Sequence, residues 1–273
     1  MQMSAQAVLS IVTVVRNDRQ GLSTTLASVT SQTARNNIQM IVIDGNSTDD
    51  TLAATQGFKI DVLISEPDTG LYDAMNKGLD HATGRYVYFL NSGDSFDSAD
   101  TVEKIISNFK EDNAIYYCSV EIKSNDVKWL SAPLQSKYFN YDDYLPHHQS
   151  IFYPECFYKY NRYNLIYKIQ ADVDYTARAV KQCKKIFIPL CITHSTLGGF
   201  SCQQYKVYKK SLSLAREFHT MYVSHTLQKD YSIFKVAKIY AVCMLRYVFV
   251  RIFGLDMLYR AMAFVAMRRN QRF

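Results

Sequence analysis

Acidic, amide and hydroxyl side chains cluster in this 273-residue chain where they could act together on one ligand. Arg16-Asn17-Asp18, Asp44 to Asp50, Glu66-Pro67-Asp68 and Asn91-Ser92-Gly93-Asp94 each follow a short apolar run. One such cluster carries little weight; four in the same position relative to their runs describe a polar rim wide enough for a nucleotide. A carboxylate fixed in a rim accepts hydrogen bonds and cannot donate them, so it selects a donor edge on what it binds. Carboxylate oxygens joined by phosphate oxygens and water also suit Mg2+ or Mn2+. A further acidic pair, Asp172 and Asp174 in Gln170-Ala171-Asp172-Val173-Asp174, stands at the expected start of a helix. The macrodipole favours negative charge there.

The elements that must position these groups follow from the apolar pattern. Leu9 to Val15 (LSIVTVV) is a continuous β-branched run, the mark of a strand covered on both faces. Leu22, Leu26 and Val29 recur at helical spacing, and Met40 to Ile43 starts a second strand-loop-helix unit in which Asp49 is the expected helix cap. Val62 to Ser65 reads as a third strand, Leu71, Met75, Leu79 and Ala82 as a helix closed by Gly84, and Tyr86 to Leu90 as a fourth strand. Repeated units of this kind require a mainly parallel sheet with right-handed crossovers. Such sheets bind ligands at the carboxyl ends of their strands, where the polar clusters lie. Farther on, strands are expected near Ile115 to Ile122, Val127 to Leu130 and Ile186 to Ile192, where Pro189 predicts an edge or a bulge. A helix runs from Asp172 through Tyr175, Ala179 and Val180.

Composition narrows the class. With 48% apolar and 21% charged residues the chain can bury a core and is not intrinsically disordered. Its length fits one large domain with an appendage, or two modest ones. Six cysteines without CxxC spacing give neither a zinc pattern nor a dense disulfide framework, which favours a reducing compartment. The N-terminal MQMSAQAVLSIVTVV lacks a basic n-region and a cleavage site, so its apolar run reads as a strand and not a signal peptide. A cytoplasmic protein is expected. Its charge is unevenly divided: residues 201–273 hold 13 Lys/Arg against 3 Asp/Glu, and the first 200 hold the other 18 and 22.

The succession SIVTVV-RN, VIDGNSTDDT, EPDTGLYDAMNKG, GRYVYFLNSGD, ADVDYTARAV and LGGFS resembles the family 2 glycosyltransferases of the GT-A fold, over about residues 8 to 202. More narrowly, it is similar to the bacterial branch that builds capsule, colanic acid and O-antigen sugars. EPDTGLYDAMNKG and FLNSGD are long enough to be specific where a lone GxGxxG would not be. The resemblance implies an α/β catalytic domain over residues 1–203, with a mainly parallel central sheet flanked by helices, and a C-terminal helical extension over 204–273. It further implies inverting, metal-dependent transfer of a sugar from a UDP- or GDP-sugar to a hydroxyl of a lipid-linked glycan.

The resemblance assigns roles residue by residue. Asp44 matches the carboxylate that meets the nucleotide base or ribose, with Thr13 and Val15 lining the same pocket; the alternative is a turn residue capping the Gly-Asn-Ser loop. Asn91-Ser92-Gly93-Asp94 takes the place of the D-x-D element, with Ser92 and Gly93 beside the diphosphate and Asp94 as the carboxylate for Mg2+ or Mn2+. Ser92 departs from the usual Asp, and the alternative for Asp94 is a cap on a helix over Ser95 to Phe109. Asp68 corresponds to a residue facing the donor sugar or ribose. Asn76 and Lys77 fall where many relatives read A-R-N; Met75 takes the Arg place, and Lys77 is either the substitute cation or a solvated surface residue. His194 is placed to approach the metal or diphosphate, unless it is structural. On the acceptor side Asp172 matches the base of an E-D motif, with Asp174 second and helix capping the alternative. Only one of His147 and His148 can face the cleft, because neighbouring side chains of an extended segment point opposite ways; His148 is preferred, with a packing role for either the alternative. Gly198, Gly199 and Ser201 match the family's GG-x-S.

The basic tail has its own logic. Lys235, Lys238 and Arg246 cluster on one side of a helix whose remainder is filled by Phe234, Ile239, Val242, Leu245 and Phe249. Uncharged windows such as Ile239 to Leu245 fall far short of the roughly 20 apolar residues that a span needs. An anchor at the cytoplasmic membrane surface, a polyanion site and a face packing on the body are the three readings, with self-association the main competitor of the first. Aromatic residues and Met interspersed with Arg favour a lipid interface over nucleic acid. A different class, a non-catalytic membrane-associated nucleotide-sugar-binding or scaffold protein, draws on the incomplete D-x-D. A nucleotidyltransferase would need a Gly-rich basic loop after the first strand, and Arg16-Asn17-Asp18 is not one.

Overall fold

In a computed structural model, residues 7–124, 127–132, 134 and 145–196 are described, with isolated helical positions between 220 and 261. Gly198, Gly199, Ser201 and the basic stripe of the tail lie outside the described residues. The elements in chain order are β1 (Leu9–Val15), α1 (Arg19–Thr30), β2 (Ile38–Asp44), β3 (Val62–Ser65), α2 (Leu71–His81), β4 (Tyr86–Phe89), β5 (Ser95–Phe96), α3 (Thr101–Ile106), β6 (Ala114–Ser124), β7 (Val127–Leu130), β8 (Ile151–Pro154), α4 (Glu155–Tyr158), α5 (Ala171–Gln182) and β9 (Lys184–Thr196).

The β-branched run of β1 is buried at every position, because the strand lies inside a sheet ordered β3-β2-β1-β4-β8-β6-β9-β5, with β7 paired to β6. Side-chain alternation divides it between two cores. Val12 and Val14 pack with Met75 and Leu79 of α2, while Leu9 and Ile11 pack with Leu22, Leu26 and Val29 of α1. α2 lies so close to the sheet that a Cβ at Gly78 would fall 2.3 Å from Val12 Cγ1, so that position excludes any larger residue. The first half of the sheet, β3-β2-β1-β4, is entirely parallel. Beyond it β8 runs antiparallel to both β4 and β6, and β9 runs parallel to β6.

Pro189 lies in a bulge, one of its two expected settings. Tyr117 pairs with Phe187 and Ser119 with Cys191, so Ile188, Pro189 and Leu190 together oppose Cys118 alone. Pro189 therefore needs no ladder hydrogen bond, although β9 is an interior strand between β6 and β5. Two expected helices differ. The one after β2 is a short 3-10 helix, Thr51–Thr55, at whose start Asp49 Oδ1 accepts from Thr51 N at 3.0 Å and the Thr51 hydroxyl accepts from Asp18 N at 2.9 Å. The other begins at Thr101, not Ser95. Phe96 N is taken by Ser28 Oγ at 2.8 Å and Asp97 N by Ile192 O at 3.0 Å, bonds that tie the short strand Ser95–Phe96 and the residue after it to α1 and β9. Asp94 consequently precedes a strand, and the helix-cap alternative for it fails.

Candidate functional site

The carboxyl ends of β1, β2 and β4 form one rim, stitched by side chains. Asp18 caps α1 by accepting from Gly21 N at 3.0 Å, while its other oxygen accepts from Ser92 Oγ at 2.8 Å. A Cβ at Gly21 would fall 2.0 Å from Asp18 Oδ2 and 2.7 Å from Ser92 Oγ, so the pair occupies the space of a side chain. Asn17 and Asn46, both with positive φ, turn the two neighbouring loops, and Asn17 bonds Ser47 and Thr48 across them. Asp44 is fully buried. Its carboxylate accepts from Ser47 N at 3.0 Å, Ser65 Oγ at 2.6 Å and the Ser47 hydroxyl. This is the turn-capping alternative realised, and it occupies three of about four lone-pair positions.

Thr13 and Val15 are buried, and each makes a bond to a neighbouring segment. The Thr13 hydroxyl donates to Leu90 O at 2.8 Å and the Val15 carbonyl accepts from Gly45 N at 2.9 Å. Each oxygen keeps further acceptor capacity beyond these bonds. Asp68 does reach the rim: a Cβ at Gly45 would lie 2.2 Å from Asp68 Oδ2 and 3.4 Å from Arg16 Cδ. Exposed Arg16, which was not singled out as a ligand contact, lays its aliphatic Cδ over the same glycine. Its place as the first residue past β1 was the available signal.

In the Asn91–Asp94 turn, Gly93 adopts φ 92° and donates to Thr25 Oγ1 at 3.1 Å. Asp94 is buried and accepts from Gln149 Nε2 at 2.5 Å and from the Ser195 hydroxyl; burial nevertheless pushes its carboxyl up to about 7. His194 does not join it. Along β9, Thr193 Oγ1 lies 2.6 Å from the Tyr88 hydroxyl and Ser195 meets Asp94, so alternation turns His194 the other way. Both its ring nitrogens are engaged, Nε2 with Asp97 and Nδ1 with Glu121, each at 3.0 Å. Among the described residues no group of three His, Cys, Asp or Glu side chains is arranged to hold a metal. The Asn91 Oδ1 atom is buried without a hydrogen-bond partner and adds a second hard oxygen to the turn. One carboxylate and one amide oxygen fit Mg2+ or Mn2+ held largely by a ligand's phosphates, and do not fit an all-protein metal cage.

Asn76 and Lys77 turn out to be clasps. Asn76 donates to Tyr163 O at 3.0 Å and accepts from Tyr163 N at 2.8 Å, matching a peptide unit with an amide. Lys77 Nζ reaches Pro67 O and Glu66 Oε1, each at 2.7 Å, and so holds the loop carrying Asp68. Met75 is wholly buried and offers no contact to a diphosphate.

At the start of α5 the two acidic residues part company. Asp174 is buried in an ion pair with Arg178 at 2.9 Å, and Arg178 continues to Arg162 O at 2.6 Å. It anchors the helix and is committed there. Asp172 accepts from the Tyr72 hydroxyl at 3.0 Å and feels His147; it keeps some exposed surface while protein encloses the carboxyl, and burial raises it above the usual carboxylate range. His147 precedes the 3-10 turn His148–Ser150, so the two rings do not alternate as extended neighbours would. Nδ1 is buried without a hydrogen-bond partner in both, and burial pushes both imidazoles down to about 4, leaving them neutral near pH 7. The ring within electrostatic reach of Asp172 is His147, not the expected His148. Sequence reading also passed over Tyr72, Gln149 and Ser195, whose partners lie 55 to 101 residues away.

Residues 10–183 match the family described as Glycosyl transferase family 2. The chain belongs to this family. An uncharacterised glycosyltransferase of Mycobacterium tuberculosis is 31% identical over 193 residues, covering 68% of this chain and 74% of its own. A PGL/p-HBAD biosynthesis glycosyltransferase of Mycobacterium bovis is 32% identical over 187 residues, covering 64% and 70%. Among solved structures, residues 1–349 of Staphylococcus aureus TarS in complex with UDP superpose with TM-score 0.58 at 18% identity, over 90% of this chain and 73% of that one. Against the TarS structure not so shortened, the match spans 43% of that chain. The mannosyltransferase PcManGT of Pyrobaculum calidifontis, in complex with GDP-Man and Mn2+, gives 0.62 at 11% identity over 98% and 88%. The family 2 chain thus has a GT-A-like α/β fold.

Proposed function

We propose that this family 2 member is an inverting glycosyltransferase that moves a sugar from a UDP- or GDP-sugar to a hydroxyl of a lipid-linked glycan during assembly of a bacterial surface polysaccharide. The observation that carries the reading is Asp172, an enclosed carboxylate at the start of α5 held by a hydrogen bond from Tyr72. Asp172 takes the proton of the acceptor hydroxyl, whose oxygen attacks the anomeric carbon as the bond to the diphosphate breaks. A single base suffices, because a nucleoside diphosphate is a good leaving group, unlike the alcohol released in glycoside hydrolysis.

The ligands in the TarS and PcManGT complexes support a nucleotide-sugar donor, and the name of the M. bovis relative supports a place in glycan assembly. Exposed Arg16 and half-buried Asp68 are polar groups of the rim that would meet the donor, and Asp94 with Asn91 would hold Mg2+ or Mn2+. When bound, such an ion offsets charge on the leaving diphosphate. We assign residues 1–203 to catalysis and the basic tail, 204–273, to contact with the cytoplasmic membrane surface, where a lipid-linked acceptor resides. The test is donor turnover by Asp172→Asn and Asp94→Ala. Both should lose at least about a hundredfold; activity near wild type in both would overturn the mechanism. Ser92 in place of the usual Asp favours a second reading, a non-catalytic nucleotide-sugar-binding protein. UDP or GDP binding by calorimetry with no turnover of any UDP- or GDP-sugar would select it.

A further inference from the structure

We propose that Tyr72 is the positioning residue of Asp172, holding the carboxylate in one orientation from the far side of the cleft-forming segment. On its own helix the Asp172 carboxylate is met by the backbone amides of Asp172 and Val173. The phenol that reaches it comes from α2, 100 residues earlier, with the hydroxyl 3.0 Å from Asp172 Oδ1 and 2.8 Å from Ile169 O. One hydroxyl therefore spans the carboxylate and the carbonyl three residues before it, fixing α5's first turn against the end of the preceding segment. The ring is itself held. It stacks on Tyr163 with centroids 5.5 Å apart, and Asn76, one turn along α2, clasps the Tyr163 backbone in both directions.

A phenol carries one proton. Ionised Asp172 draws it as a charge-assisted bond, leaving Oδ2 to receive the proton of the acceptor hydroxyl. When Asp172 is protonated on Oδ2, Oδ1 still accepts, and Ile169 O offers the proton a second resting place. Tyr72 thus serves the base before and after proton transfer without movement of heavy atoms. The other titratable groups around Asp172 are His147 from the segment ahead of β8, Tyr153 of β8 and Tyr163 from the segment between α4 and α5. Burial keeps His147 neutral and lifts both phenols above their usual range, so near neutral pH none of these three changes charge beside Asp172. Asp174 and Arg178, one turn on, are paired to each other.

This inference rests on Asp172 as the base only for its effect on rate. The experiment is a 13C NMR titration of the full chain labelled at the Asp side-chain carboxyl carbon, with the Asp172 signal assigned by its loss in Asp172→Asn. Tyr72→Phe keeps the ring and its stack and removes the hydroxyl alone. Its Asp172 midpoint should rise by about one pH unit, a tenfold gain in proton affinity; an unchanged midpoint overturns the proposal. Where the wild type releases UDP from UDP-glucose or UDP-N-acetylglucosamine, or GDP from GDP-mannose, Tyr72→Phe should lower kcat about tenfold, leave the donor KM unchanged and move the acid limb up with the midpoint. A shifted midpoint with full turnover in Asp172→Asn would instead retain Tyr72's hold on Asp172 and remove the base assignment.

Discussion

Burial holds the Asp94 carboxyl near 7 against hydrogen bonds from Ser195 and Gln149 that pull the other way. In the unfolded chain an Asp titrates near about 4. The folded state therefore binds the extra proton between about pH 4 and 7, and stability falls as pH rises through that window, with the full cost present above it. For a shift of this size the cost reaches at most about 4 kcal/mol. Urea unfolding in EDTA at pH 5 and pH 8 should show wild type weaker at pH 8, and Asp94→Asn should lose most of that difference. Equal pH dependence in the two proteins would mean that the carboxyl is well solvated. Residue chemistry of this sort was legible in the sequence as type but not as direction. Alternation along β9 requires that 193 and 195 share a face and 194 take the other, yet only the approach of β5 and β6 decides which face meets Asp94. The turn-capping bond of Asp44 to Ser47 was legible in the sequence, and its bond from Ser65, 21 residues away, was not.

Helix α2 carries the longest recognisable stretch of the sequence, and its side chains work in two neighbouring stripes. Asp73 and Lys77 hold the loop after β3: Thr69 N donates to Asp73 at 2.9 Å, and Lys77 grips Glu66 and Pro67. Tyr72 and Asn76 hold the segment that leads into α5. Residues four apart share a helix face, so one rigid element ties the loop bearing Asp68 to the helix bearing Asp172. Asn76→Ala removes two bonds to a backbone unit whose residue is 2% exposed. It should cost about 2 kcal/mol and lower the thermal midpoint by several degrees, because the Tyr163 amide and carbonyl are left unsatisfied. A melt indistinguishable from wild type would show that water replaces the clasp. The motif's importance was readable from its spacing, but its mechanical role was not, since a clasp is defined by a partner 87 residues away.

Across the whole molecule, periodicity reached as far as local units extend. The β-loop-α repeats give the parallel half of the sheet, because each crossover leaves a strand one place to go. The second half depends on pairings between distant segments, β8 entering between β4 and β6 and β6 meeting β9, and no local pattern encodes that order. Charge is the other molecular-scale property, and it was plain from the start: an acidic body joined to a tail with 13 Lys/Arg and 3 Asp/Glu. No helix among the described residues is long and apolar enough to cross a membrane, and the proposed contact of the tail with the membrane surface rests on its charge. Each Lys or Arg near an anionic bilayer contributes about 1 kcal/mol. Reversing Lys235, Lys238 and Arg246 to Glu in the full chain should weaken binding to phosphatidylglycerol-containing vesicles at least about a hundredfold at 0.1 M salt, and wild-type binding itself should fade toward 1 M as the Debye length shrinks to about 3 Å. Cosedimentation that ignores both the reversals and the salt would assign the tail to packing or self-association, and would leave the acceptor's lipid to be met by another surface of the enzyme.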